Sequence, residues 1–305
     1  MKLSHLRDVL AVAGSGSLRA ASRHLGIAQP VITRNIRDIE NELGVALFER
    51  HARGVRLTGM GEVFVRRASL VEAELRRARE EIEQLKGNLI GRVSLAASTA
   101  ASIALLPRAL TNFRREYPGA LVKVSESLFQ PVESDILDGA IDLYVGVFDE
   151  ETFASQFVVE KLFDNQRVIV ARNGHPLAGA RRLADLAGAE WVRPTLSTRS
   201  SEADFERMFE RAGLPLPEIV MHSRSTLITL MMVASSDLLT ILPKQWLELA
   251  MAAGQFQSLE VEDPLVAAPV CIVRRRDAPL TPMAERLCDL IRRAGLNYGR
   301  AAGSA

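Results

Sequence analysis

Glycines at positions 14, 16, 26 and 44 cut the first part of this chain into three short segments, and that punctuation constrains its fold more than any other feature. Leu3, Leu6, Val9, Leu10 and Ala13 recur with the 3.6-residue period of a helix that stops at Gly14-Ser15-Gly16. Ser17 is placed to cap a second helix, residues 18–25. Ala20 and Ala21 keep that helix slim, and Gly26 can take the left-handed conformation of a sharp turn. Pro30 is tolerated only in a first helical turn, so a third helix starts there. Its stripe of Ile32, Ile36, Ile39 and Leu43 ends at Gly44. Two short helices joined by a tight turn, the second with an apolar inner stripe, form the helix-turn-helix pattern.

The outer face of the third helix carries Gln29, Pro30, Thr33, Arg34 and Arg37. Arginine pairs bidentately with guanine and glutamine with adenine, while a threonine methyl or proline ring meets the thymine methyl, so these residue types suit a major groove. On these residues alone, a plain solvated face is the competing reading. The next segment bears on that choice. After Leu47-Phe48-Glu49-Arg50, residues 51–58 read as two extended pieces around Arg53-Gly54, with Arg56 on the second. They form a basic hairpin suited to phosphates or a minor groove. Residues 1–67 hold 11 Lys and Arg against 6 Asp and Glu, while the remainder holds 27 against 31. A polyanion-binding head on a neutral or acidic body follows. Residues 3–57 therefore read as a winged helix-turn-helix that binds duplex DNA.

Residues 59–86 form one long helix in which Phe64, Ala68, Val71, Leu75, Ala78, Ile82 and Leu85 recur at alternating spacings of four and three. That is a heptad seam, and a single helix cannot bury it. A second copy of the chain is the expected partner; packing on the chain's own body is the alternative.

The rest alternates between strands and helices. Residues 92–97, 98–116, 120–125, 132–139 and 141–147 read as a βαβαβ unit. The pattern resumes with extended stretches at 158–162, 166–171, 190–193, 219–222, 238–242 and 269–274, and with helices at 202–212, 226–234 and 281–294. Two α/β lobes with a cleft between them are expected. The chain has 305 residues, 48% hydrophobic and 25% charged, which is ordinary for a globular protein. No apolar signal core opens it, and no apolar run approaches the roughly 20 residues a bilayer needs, so a cytoplasmic protein without a membrane partner is expected. Cys271 and Cys288 fit neither a zinc spacing nor a disulfide framework and read as buried small hydrophobes.

With both halves read, the chain resembles a LysR-type transcriptional regulator. The stretches that carry the likeness are Gly16-Ser17-Leu18-Arg19-Ala20-Ala21-Ser22, Gln29-Pro30, Ile39-Glu40-Asn41-Glu42-Leu43-Gly44, Leu47-Phe48-Glu49-Arg50 and Leu57-Thr58 with Gly61. In the body, Leu106-Pro107, Phe113, Tyr117-Pro118, Asp142 and His175-Pro176-Leu177 also fit, and residues 235–240 look like regulators related to the toluenesulfonate regulator. The chain departs from the family pattern at Ala28, where a capping serine is usual, and at Ser235-Ser236, where many relatives carry glycine.

The resemblance implies an all-α winged helix-turn-helix domain (1–58), a long linker and dimerisation helix (59–87), and an effector-binding domain (88–305). The effector domain would be two Rossmann-like, periplasmic-binding-protein-like lobes, lobe I from 91–162 and 268–305 and lobe II from 163–267. The implied partners are promoter duplex DNA, RNA polymerase, further copies of the chain in a homodimer or homotetramer, and a small-molecule inducer such as an aromatic acid or sulfonate.

Ser98-Thr99 open a helix whose free N–H groups suit an anion. Other loops after strand ends, where open α/β sheets bind ligands, carry Phe129, Gln130, Val147, Thr195, Arg199, Ser223 and Arg224. For each of them a solvated loop is the competing reading. No nucleophile elbow, P-loop, dinucleotide fingerprint or metal-ligand cluster is present, so no enzyme, cofactor or metal is expected. The rival readings are a plain small-molecule-binding protein and a DNA-binding protein without sequence preference.

Overall fold

The computed structural model describes residues 1–51, 54–148, 155–194, 200–248, 254–265 and 267–302. Three helices open the chain: α1 (Leu3–Ser15), α2 (Leu18–Leu25) and α3 (Gln29–Leu43). Gly16, Gly26 and Gly44 end them in the left-handed conformation, and Ser17 caps α2 by accepting from the Ala20 N–H. α1 runs two residues past Ala13, because the Ser15 hydroxyl bonds back to the Ala11 carbonyl at 2.7 Å and carries the turn through Gly14. Leu6, Val9, Val12, Ala21, Ile32, Ile36, Ile39 and Leu47 make a single core between the helices.

The hairpin is β1 (Phe48–His51) paired antiparallel with β2 (Gly54–Leu57). Its first strand starts at Phe48, earlier than the sequence reading, because Phe48 lies opposite Leu57. Then α4 (Gly59–Leu85) begins, its first turn capped by the Thr58 hydroxyl, which accepts from the Gly61 N–H at 3.0 Å. Ala68 of α4 belongs to the head core, whereas Val71, Leu75, Ile82 and Leu85 are exposed. Met1–Lys86 with Leu137–Ala140 form one compact unit; Gly87–Ile136 with Ile141–Ala305 form another.

In the second unit, the first sheet has the order β4-β3-β5-β12-β6, built from β3 (Gly91–Ala97), β4 (Ala120–Glu126), β5 (Leu143–Val147), β6 (Phe157–Phe163) and β12 (Val270–Arg275). β3 runs parallel to β4 and β5, and β12 antiparallel to both its neighbours. Helices α5 (Thr99–Ala104), α6 (Leu106–Glu116), α7 (Phe129–Leu137) and α10 (Pro282–Ala302) go with it.

The single helix expected over 98–116 is two. Leu105 breaks it, because Pro107 has no N–H to donate and its ring crowds the preceding turn, so α6 starts afresh with that proline in its first turn. The closing helix runs beyond 294, to Ala302.

The other lobe holds β7 (Arg167–Arg172) between β10 (Thr240–Pro243) and β11 (Phe256–Leu259), and the parallel pair β8 (Glu190–Pro194) and β9 (Glu218–Ser223). Leu239 bridges to Trp191. Helices α8 (Ser200–Arg211) and α9 (Thr226–Ser235) complete it, with Trp191 fully buried edge-on to Phe209. β11 escaped the sequence reading because Phe256-Gln257-Ser258-Leu259 has neither alternation nor β-branched residues.

Candidate nucleic-acid interface and effector cleft

The third helix is held from both sides. On its inner face Ile32 and Ile39 are fully buried, and the Asn35 amide reaches α1. Near its C-terminal end one Glu40 oxygen accepts from the Leu47 and Phe48 N–H groups, at 2.7 and 3.2 Å, so the same helix aims the first strand of the hairpin. The hairpin docks on the α1–α2 turn through the Val55 N–H, which donates to the Gly16 carbonyl at 3.0 Å. At Gly54 φ is +146° and a Cβ would lie 2.4 Å from the Gly16 oxygen, so this strand start admits only glycine.

What remains outside is the opposite face of α3. Gln29, Pro30, Arg34 and Arg37 are exposed, and among the described residues neither arginine has an ion-pair partner. Thr33 is half-buried, and its hydroxyl donates back to the Gln29 carbonyl at 3.0 Å, so the hydroxyl is already engaged within the helix. Arg56 is exposed on β2, opposite Glu49. Arg53 lies outside the described residues.

In the second unit, the carboxyl ends of β3, β4 and β5 bring Ser98, Thr99, Glu126 and Val147 to one edge of the sheet. Ser98 is 2% exposed and its hydroxyl caps α5 at the Ala101 N–H. Thr99 donates its hydroxyl to the Glu126 carboxylate. At the helix start where an anion was expected, α5 is six residues long, its capping serine is buried and Thr99 is engaged by a carboxylate.

The loop expected at Phe129 is corrected to the start of a helix. Phe129 sits in the first turn of α7, 4% exposed, edge-on to Tyr144, Phe148 and Phe157, and so fills the core instead of a loop. Gln130 follows it on the same helix and is exposed. Val147 is half-buried and its carbonyl accepts from the Tyr144 hydroxyl, whose pKa burial pushes up.

On the other lobe, Ser223 is 4% exposed and turned inward: its hydroxyl donates to the Ser225 carbonyl and accepts from the Ser225 N–H, forming a local turn. Ser225 in turn caps α9. Arg224, between them, is exposed. Thr195 and Arg199 lie outside the described residues.

Residues 86–295 match the LysR substrate binding domain, and residues 3–62 match the bacterial regulatory helix-turn-helix protein, lysR family. The chain belongs to the LysR family of transcription regulators. It is 28% identical over 297 residues to the HTH-type transcriptional regulator GbpR of Azospirillum brasilense, spanning 96% of this chain and 86% of that one. Its fold is similar to that of CbnR, a LysR family regulator solved with its target DNA (TM-score 0.69, 22% identity, 96% of this chain and 100% of CbnR). It is also similar to a full-length OxyR variant from Pseudomonas aeruginosa (TM-score 0.71, 22% identity, 97% and 94%). This LysR regulator is thus a DNA-binding transcription regulator with a ligand-binding substrate domain. Among the described residues no helix is long and apolar enough to cross a membrane, and no cluster of His, Cys, Asp and Glu is set to hold a metal.

Three residues of the regulator escaped the sequence reading. Val31 is 44% exposed beside Pro30 on α3, an apolar side chain where a solvated face would carry a polar one. Glu126 gave no signal, because its partner Thr99 lies 27 residues away on the neighbouring strand's helix. Gln245, 2% exposed, stands in the turn Lys244–Glu248 that packs against α5, and its side-chain oxygen accepts no hydrogen bond among the described residues. A lone amide between Leu242-Pro243 and Trp246 was the available hint.

Proposed function

We propose that this LysR regulator reads promoter DNA with α3 in the major groove, using Gln29, Pro30, Val31, Thr33, Arg34 and Arg37, while Arg53 and Arg56 of the hairpin meet phosphates or the adjacent minor groove. The supporting observation is the contrast across α3: an inner face locked into the core, and an outer face with two exposed, uncommitted guanidiniums. Exposed arginines without acidic partners are available for guanine edges and phosphates.

The unpaired seam of α4 joins two heads, and further contacts assemble a homotetramer that acts in the cytoplasm with RNA polymerase. The divisions are 1–58, 59–87 and 88–305, the last as two lobes. The regulator performs no chemistry on its ligand. That ligand sits between the lobes at the strand ends, near Val147, Gln130, Arg224, Thr195 and Arg199. It is an aromatic acid, sulfonate or similar molecule whose anionic group meets arginine and whose hydroxyl or amine donates toward Glu126 and Gln245. The acceptors left at those two residues are what support a donor on the ligand.

The test is binding at matched salt to the promoter beside the regulator's own gene and to random duplex. Promoter affinity well above random, with discrimination at one or two base positions falling by about 1–3 kcal/mol in Arg34→Ala, supports the reading. Equal affinity for both duplexes refutes it.

A further inference from the structure

Helices α6 and α10 pack on one another over buried Ala109, Leu290 and Ala294. Glu116, at the end of α6, takes both its hydrogen bonds from Arg286 near the start of α10, each at 2.7 Å. Arg108 and Asn112, further back on α6, share a groove with Arg293 and Asn297, further on along α10. The helices therefore run antiparallel, and each supplies an arginine followed one turn later by an asparagine. Residues four apart stand on the same helix face, so all four side chains rim one groove.

The groove has a volume of about 160 Å³, a floor of Ala109, Leu290 and Ala294, and no carboxylate in its lining. A cavity of about 150 Å³ takes a benzene ring, so this one takes a phosphate group or a short dicarboxylate.

The other α10 arginines nearby are committed: Arg286 to Glu116, and Arg292 to Glu160 and Asp289. Arg292 is held so firmly by Glu160 that its pKa rises. Arg108, Asn112 and Asn297 have no hydrogen-bond or ion-pair partner among the described residues. Arg293 acts only through space, on the already paired Glu116. Two guanidiniums and two amides thus line one apolar-floored groove with no hydrogen-bond or ion-pair partner among the described residues, and guanidinium forks match the paired oxygens of phosphate and carboxylate.

We propose that the α6–α10 groove is a second ligand site of this regulator, taking a compact oxyanion with two negative charges. This site is independent of the interlobe cleft. Its ligand clips the C-terminal helix to α6 and adds an anion dependence to the stability of lobe I, since any ligand that binds only the folded state raises its melting point.

The experiment is thermal unfolding of the full chain in inorganic phosphate and, separately, in succinate, with ionic strength held constant by chloride. The expected result is a saturable rise in melting temperature above the chloride baseline for at least one anion; phosphate alone identifies a phosphate group, succinate alone a dicarboxylate. The double variant Arg108→Gln with Arg293→Gln should weaken the apparent affinity at least about tenfold. Asn112→Ala with Asn297→Ala should weaken it less. All four side chains are exposed, so these variants fold. No rise with either anion in the parent overturns the proposal. So does an unchanged curve in the double arginine variant, which would place the anion on the basic head instead.

Discussion

The carboxylate of Asp8 on α1, fully buried, accepts a 2.6 Å hydrogen bond from the side-chain amide of Asn35 on the recognition helix. Its other oxygen is held by Arg7. A buried charge without donors would be costly, so this pair fixes how far α3 stands from α1 and at what rotation. Asp8→Ala should lower the stability of the head by about 2 kcal/mol, the range for hydrogen bonds to a charged group. It should also weaken promoter binding, although residue 8 lies on the helix behind the reading face. Denaturant melts and DNA titrations check both; an unchanged melt together with unchanged affinity would show that the pair positions nothing.

Gly61 makes a second, purely steric prediction. Its backbone dihedrals suit any residue, yet a Cβ there would lie 2.1 Å from the Leu47 carbonyl oxygen. That carbonyl also accepts from the Thr58 N–H, so it cannot simply swing aside. Gly61→Ala should therefore cost about 1–3 kcal/mol, as overpacking does, and should tilt α4 against the hairpin. Loss of promoter discrimination with only a modest drop in melting temperature is the expected pattern. A variant with parental stability would mean that the backbone relaxes freely here.

Cys288 gives a prediction in pH. Burial raises its thiol to about 11, against an ordinary 9.0. At pH 8 it is a neutral, inaccessible thiol, and Cys271 is equally buried. A disulfide reagent at pH 8 should leave both unmodified in the native protein and label both in denaturant. Because the folded state holds this proton more tightly than the unfolded chain, the associated stability is intact below about pH 9. It declines as the pH rises from there through about 11. Fast labelling of native protein at pH 8 would contradict the burial.

The head was the most legible part because its determinants are local. Glycine caps, a serine cap and an apolar stripe all act within a few residues, so α1 to α3 and their outer face could be read directly. The break at Leu105 and the helix start at Phe129 were less legible. Pro107 sits in the middle of the helical stretch expected over 98–116 and could be taken for an N-terminal proline or a breaker, while Phe129 follows a strand closely enough to look like a loop. The cleft was least legible. Thr99 meets Glu126 only because β3 and β4 pair in parallel with Ala97 beside Glu126, and Gln245 meets α5 only through the fold. Loops could be named from strand ends, but their side chains' commitments to each other depend on register, which no local pattern encodes.

The seam of α4 carries the last prediction. Ala68 is buried in the head core, but one and two turns on, Val71 and Leu75 are exposed, and Ile82 and Leu85 continue the same line to the helix end. The helix has 27 residues and so spans about 40 Å, far too much apolar edge to leave in water, and its flanks are rich in arginine and glutamate, the usual border of a coiled-coil seam. The arginine–glutamate pair at 76 and 80 lies along one flank and does not cover it. Leu75→Glu puts a charge at the middle of this line, where two copies would bury it face to face. In sedimentation the variant should shift toward monomers. Because Leu75 is exposed within the chain, its fold and melting temperature at low concentration should be close to the parent's. Affinity for a single half-site should survive, while affinity for the paired promoter site should fall steeply, since two heads no longer bind as one. An unchanged oligomer would place the principal interface on the effector domain and leave the exposed line of α4 without a partner.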